Sequence, residues 1–244
     1  MLKEIVSFLD NYLKISEWEG IDSSKNGLQV ECCEEVNKVA FSVDACMDVF
    51  KKAVEAKADL LVTHHGIIWG EFTVTGIYAK RLKFLFENNL SLYSAHLPLD
   101  AHLEVGNNVQ ILKKLDIEVE GSFAFYRGKA IGYYGSCEYT IEEITEKLKK
   151  ELETELRILK FGDRVTKVGV VSGRGGFSIY EAGNLGIDLL ITGEMEHSIY
   201  HVAKELGINV IFAGHYATET VGLKALMEKM SDVETVFIEC PTNL

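Results

Sequence analysis

Leu60 to Gly70 reads LLVTHHGIIWG, a short apolar run that ends in two adjacent histidines, His64 and His65. Such a run predicts a buried strand, and open α/β sheets place their ligands at the carboxyl ends of their strands. The doublet therefore stands at a site-like position. A His-His pair also has a plain structural explanation, a buried imidazole bonded to backbone, so ligation of a metal needs further donors from elsewhere in the chain.

Outward from this strand, strands and helices alternate. An amphipathic helix with Leu2, Ile5, Val6, Leu9, Tyr12 and Leu13 on one face opens the chain, followed by the turn-rich GIDSSKNGLQVE and a strand near Leu28 to Val30. Strand Val36 to Val43 ends at Asp44, and the spacing of Val49, Phe50, Ala53 and Val54 predicts a helix from Met47 to Lys57. After the histidine strand come a helix from Tyr78 to Asn88, strand Leu90 to Ala95 delivering His96, and a helical stripe of Val105, Val109, Leu112 and Leu115. Strand signals resume at Gly121, with Ala130 to Gly135. Thr140 with Glu143 has capping-box spacing and opens the helix Ile141 to Glu151. Strands Leu156 to Phe161, Val165 to Val171, Ile187 to Thr192, Ile208 to Ala213 and Thr235 to Glu239 follow, with helices around Ser178 to Asn184, Ser198 to Leu206 and Thr218 to Met230. This alternation predicts an α/β architecture.

The second half repeats the first. ADLLVTHHG (Ala58 to Gly66) aligns with IDLLITGEM (Ile187 to Met195), and VAFSVD (Val39 to Asp44) with VGVVSG (Val168 to Gly173), in one register that pairs Asp59 with Asp188. LSLYSAH (Leu90 to His96) aligns with NVIFAGH (Asn209 to His215) after a shorter loop. The expected fold is two duplicated α/β halves, residues 1–125 with the helical amino terminus and 126–244, packed about a pseudo-twofold axis with a metal site in the cleft between them.

The repeat gathers scattered residues into a constellation. His96 is followed four positions later by Asp100, and His215 by Glu219, both at the end of a buried strand. His64, His65, Asp100, His215 and Glu219 supply three imidazoles and two carboxylates, enough for two divalent ions. The mixed nitrogen and oxygen set suits zinc, iron or manganese over magnesium or calcium. Two metals roughly 3.5–4 Å apart lower the pKa of a bridging water and clamp a developing oxyanion, which is hydrolytic chemistry. Taken singly, Asp100 could be the N-cap of the next helix and Glu219 an i, i+4 partner of His215. Neither explains the recurrence at matched strand ends.

By the repeat, His96 and Glu194 fall in the same cleft, where each could orient a ligand, shuttle a proton or ligate. Glu196 and His197 either line the cleft or start a helix, while His102 and His201 have no repeat partner and are assigned to surface or core. Ser172 to Gly176, SGRGG, is a glycine-rich loop between a strand and a helix and hints at anion binding, although it lacks the spacing of either common nucleotide fingerprint.

Composition narrows the function classes. With 244 residues and 47% hydrophobic content the chain can pack one large domain or two small ones. No apolar run approaches the roughly 18 residues of a membrane span, and the amino terminus has no signal-peptide pattern. The five cysteines are odd in number and form no C-x-x-C pair, which points to a reducing, cytoplasmic compartment, and nothing basic adjoins Cys32 and Cys33 to favour a thiolate. Twenty-five basic against 37 acidic residues give a net charge of −12, which opposes nucleic-acid binding. It leaves room for an anionic small molecule where a metal supplies local positive charge.

NGLQV (Asn26 to Val30), DLLVTHHG (Asp59 to Gly66), SAHLPLDA (Ser94 to Ala101), ITGEMEH (Ile191 to His197) and AGHYATE (Ala213 to Glu219) together resemble the GTP cyclohydrolase I type 2 homologues, a family also named for a yeast Ngg-interacting factor, over nearly the whole chain. The resemblance implies a duplicated α/β protein with a dinuclear metal centre, assembled as a toroidal homohexamer. By motif match it implies two divalent ions per chain on His64, His65, Asp100, His215 and Glu219. It also implies hydrolysis of a small nucleotide, GTP, by water at purine C8 with formate release, Glu194 or His96 transferring protons. A hydrolase of another small substrate and a non-catalytic metal-binding regulator or scaffold are the alternatives. The chain departs from the family pattern at Gly66, where proline is common, and at Leu97-Pro98, where Thr-Asn is common; neither change removes a ligand. It also lacks the domain that longer members insert between the halves.

Overall fold

A computed structural model describes residues 1–242. The elements in chain order are α1 (Leu2–Tyr12), β1 (Gly27–Val30), β2 (Lys38–Asp44), α2 (Met47–Glu55), β3 (Leu60–His65), α3 (Gly76–Glu87), β4 (Ser91–Ser94) and the single turn α4 (Leu97–Asp100). There follow α5 (Asn107–Lys114), β5 (Gly121–Tyr126), β6 (Lys129–Thr140), α6 (Ile141–Leu152), β7 (Arg157–Leu159), β8 (Arg164–Val171), α7 (Ile179–Asn184), β9 (Leu189–Thr192), α8 (Tyr200–Leu206), β10 (Asn209–Phe212), α9 (His215–Met227) and β11 (Glu234–Phe237). The result is a mixed α/β protein with two sheets. No helix among the described residues is long and apolar enough to cross a membrane.

The chain divides into two compact units. The first comprises Met1–Leu99 and Leu223–Cys240, and the second is built on Asp100–Gly222. The position 125/126 falls inside β5, which pairs antiparallel with β6 in the second unit's sheet, while β11 returns to pair parallel with β2 in the first.

In the first unit a five-stranded sheet runs in the order β1-β4-β3-β2-β11. β3 is central, and Leu60 to His64 are all buried, as expected for a parallel strand covered on both faces. Its core joins Val49, Phe50 and Ala53 of α2 to Leu61, Leu85 and Leu92. Each such large side chain removed from water contributes roughly 1.5–3 kcal/mol.

In the second unit a six-stranded sheet runs β5-β6-β8-β9-β10-β7, with Ile144 and Leu148 of α6 packed on Val168, Val170, Leu189, Ile191 and Ile211. The Thr140–Glu143 capping box opens α6, satisfying two amides that the first helical turn leaves without partners. α2 stops two residues before the sequence pattern predicts, because Lys57 takes φ 60°. The helix expected from Ser198 begins instead as a 3-10 turn, His197–Ile199.

Both sheets contain three consecutive parallel strands, β2-β3-β4 and β8-β9-β10, with matching bonds. Asp59 accepts from the amides of Asn37 and Lys38, and Asp188 accepts from those of Thr166 and Lys167. Ala95 N–H donates to Thr63 O, and Ala213 N–H to Thr192 O. An aspartate at the start of these strands and a backbone bond at their end thus recur in the same register in each sheet.

Candidate metal centre

In the first unit the carboxyl ends of β2, β3 and β4 bring Asp44, His64, His65 and His96 together. Asp44 and His65 are register partners on neighbouring parallel strands, and His65 Nδ1 donates to Asp44 Oδ1 at 2.8 Å. His64, fully buried, donates from Nδ1 to the Ala95 carbonyl at 3.0 Å. His96 Nδ1 lies 3.0 and 3.1 Å from the two oxygens of Asp22. A carbonyl or carboxylate oxygen can only accept, so each ring carries a proton on Nδ1, and in the neutral form of each ring Nε2 is the lone-pair nitrogen. One ligand nitrogen of each of the three rings lies within 4.8 Å of the others. Trp69 flanks them, its ring centroid 5.0 Å from that of His96 and 6.1 Å from that of His65.

The turn around these rings is held by residues whose roles sequence reasoning missed. Asp22, nearly inaccessible, accepts from His96, from Asn26 Nδ2 at 2.9 Å and from the amides of Ser24 and Leu97 at 3.0 Å. Burial alone would push this carboxyl up, but its bonds to His96, Asn26 and Ser24 outweigh that and hold it at about 2, below the ordinary aspartate value of 3.8. Asn26 Oδ1 in turn accepts the His96 amide at 2.8 Å. Gln29 Oε1 accepts the amides of Ile67 and Ile68 at 2.8 and 3.2 Å, and its side chain occupies the space that a Cβ at residue 66 would need. Gly66, the departure from the family's proline, follows from that packing. The NGLQ motif is therefore the clamp on the turn after His65 and on His96.

In the second unit, the start of α9 carries His215 and Glu219 on one face. His215 Nε2 lies 3.1 Å from Glu219 Oε1, and His215 Nδ1 donates to Glu194 Oε1 at 2.7 Å. Burial opposes charge on this ring, yet the hydrogen bonds and attraction of Glu219 and Glu194 lift it to about 9. Gly173, at φ +56°, passes beneath the pair; a Cβ there would collide with Glu219 Oε1 and come within 3.3 Å of the His215 ring. Asp100 ends α4 and accepts from Asn107 Nδ2 and Ser172 Oγ at 2.8 and 2.9 Å; the N-cap of the following helix is Gly106, so Asp100 has no capping role there.

The remaining sequence candidates have other partners. Gly173 N–H is spent on Thr218 Oγ1 and Gly175 N–H on Thr192 Oγ1, so the SGRGG loop points these amides inward and does not form the anion cradle its glycines hint at. Glu196 precedes the 3-10 turn and lies 3.5 Å from Arg174 Nε. His102 accepts at Nδ1 from the amides of Glu104 and Val105. Burial pushes the Cys32 thiol up to about 11, away from redox reactivity.

Imidazole nitrogens fixed by oxygen partners at Nδ1, with carboxylates in reach, are the donor set and the outer support that a borderline divalent cation requires. The residues present fit such an ion.

Comparison with known proteins agrees along the whole chain. A protein of Archaeoglobus fulgidus named GTP cyclohydrolase 1 type 2 homolog is 50% identical over 250 residues, covering 100% of this chain and 99% of its own length. One of the same name from Pyrococcus horikoshii is 51% identical over 249 residues, covering 99% of this chain and 98% of its own. Among solved structures, the ybgI protein, described as of unknown function, superposes with a TM-score of 0.91 at 32% identity, and TTHA1606 from Thermus thermophilus with 0.86 at 39%; each match covers 99% of both chains. A family model described as Duf34/NIF3 (NGG1p interacting factor 3) matches residues 1–243, and the chain belongs to that family.

Proposed function

We propose that this chain is a metal-dependent hydrolase of a small molecule, with two divalent ions of zinc, iron or manganese held by His64, His65, Asp100, His215 and Glu219. The observation that carries the reading is the shared pinning of His64, His65, His96 and His215 through Nδ1, which orients Nε2 of each ring as a ligand or proton carrier. Ions so bound would lower the pKa of water and polarise the group under attack. The chain's own residues supply the rest. His96, seated on the Asp22 carboxylate, can take and return a proton at Nε2. Glu194 orients His215 and lies close enough to its ring to exchange a proton with it.

The relatives' shared name makes GTP the first substrate to try, by water attack at purine C8 with release of formate. The same reading includes a small-molecule site in a cytoplasmic, ring-shaped homohexamer, for which light scattering should return six chains per particle.

The test is elemental analysis of protein purified without added metal, repeated for His65→Ala and Glu219→Ala, followed by incubation with GTP. About two ions per chain, reduced in both variants, together with formate and a fluorescent pterin, is the expected outcome. No metal after reconstitution with zinc, iron or manganese would discard the reading. Bound metal without formate would remove GTP and leave another small substrate or a regulatory metal site, which Glu194→Gln separates: turnover of a substrate falls, and a purely binding role is unaffected.

A further inference from the structure

Asp100 sits in a buried polar knot of the second unit. Both hydrogen bonds from Asn107 and Ser172 fall on the same carboxylate oxygen, Oδ1. Asn107 turns its own carbonyl oxygen the other way, where it accepts the backbone N–H of Gly222 at 2.9 Å. Gly222 lies two turns into α9, the helix that carries His215 and Glu219. One side-chain amide therefore joins the carboxylate of Asp100 to the helix of two other donors.

The approach is close by construction. A Cβ on residue 222 would come within 2.5 Å of Asn107 Oδ1 and 2.9 Å of both Asn107 N and the Val105 carbonyl, so the link needs glycine there. Asn107 is fully buried, and an amide taken out of water costs free energy unless both its ends are bonded. An aliphatic side chain would fill the space without that requirement. Its neighbour Asn108, equally buried, serves the backbone instead, donating to Ile131 O at 2.7 Å and accepting Ser172 N–H at 2.6 Å. The division of labour leaves Asn107 as the residue whose two bonds end on Asp100 and on α9.

We infer that Asn107 is a positioning residue for metal binding: it sets the separation between the Asp100 carboxylate and α9, so that Asp100, His215 and Glu219 form one preassembled donor set. The inference rests on the metal-binding reading above. An outer partner of this kind typically carries 10–100-fold in metal affinity without itself touching the ion.

The experiment loads the full chain with cobalt(II) and reads affinity by competition with a chromophoric chelator and coordination by the visible spectrum. Asn107→Ala and Gly222→Ala break the link from its two ends, so one remains informative if the other fails to fold. Leu112→Ala, a buried apolar truncation on the same helix as Asn107, supplies a loss of stability with no loss of hydrogen bonding. The expected result is that either link variant weakens cobalt binding about 10–100-fold and changes the spectrum, while Leu112→Ala lowers the melting temperature and changes neither. Wild-type binding in a folded link variant, or an equal loss in Leu112→Ala, overturns the inference and leaves the metal reading intact. Absence of cobalt binding in the wild type overturns both.

Discussion

His65 Nδ1 and Asp44 Oδ1 meet at 2.8 Å across two parallel strands on which the two residues are register partners. Sheet register places the carboxylate and the imidazole opposite each other, and the hydrogen bond fixes the ring's tautomer. Asp44→Ala should weaken metal binding about 10–100-fold with every expected ligand still present. Asp44→Asn, whose carbonyl oxygen can still accept from Nδ1, should weaken it less. Competition titration with a chelator checks both.

Asp22 carries a pH signature. Its folded-state pKa is depressed to about 2 from 3.8, so it contributes stability that is present above about pH 4 and is lost as pH falls through about 2. At neutral pH the contribution is about 2 kcal/mol. Denaturant melts should show Asp22→Asn less stable than wild type at pH 6, with the gap closing as pH falls from 4 towards 2. A gap constant over that range would place the stabilisation elsewhere.

Gly66 and Gln29 make a coupled pair. Gly66→Ala should cost about 1–3 kcal/mol, because the new methyl group overlaps the Gln29 side chain. Gln29→Ala should cost stability alone through the amides of Ile67 and Ile68, yet relieve most of the Gly66→Ala penalty when combined with it. A double-mutant cycle by urea denaturation measures the coupling.

Trp69 offers an optical reading of the histidine group. Two tryptophans are present, and Trp69 has its ring among the histidines, 5.0 Å from His96 by centroid. Binding of a paramagnetic ion such as cobalt(II) at these rings should quench its fluorescence. Trp69→Phe should retain the Trp18 signal and lose the quench.

Much of this arrangement was legible along the chain because its signals are local. The apolar run before His64 marks β3, the recurrence of DLLVT as DLLIT marks β9, and Thr140 with Glu143 marks the start of α6. The supports were not legible, because each acts across a large separation. Asp22 reaches His96, Asp44 reaches His65 and Asn107 reaches Gly222, and no periodicity in the sequence connects such pairs. The NGLQ stretch could be recognised as a motif, but its work of clamping His96 and the turn after His65 is visible only once β1 is paired antiparallel with β4. The SGRGG loop misled because glycine content reports conformational freedom and says nothing of where the amides point; here Thr192 and Thr218 take them. β11 itself was legible as the apolar run from Thr235, but its pairing was hidden, since its partner β2 lies almost the whole chain away.

Gly173 has a consequence for reading other chains. Its positive φ and the absence of a Cβ are both required while Glu219 and His215 hold their places above it. A homologous chain with a bulky residue at that point cannot keep the pair where it is, whatever its other motifs spell. Position 173 therefore works as a one-letter indicator when genomes are sorted: glycine leaves room for this carboxylate–imidazole pair, and a residue with a side chain requires Glu219 to shift.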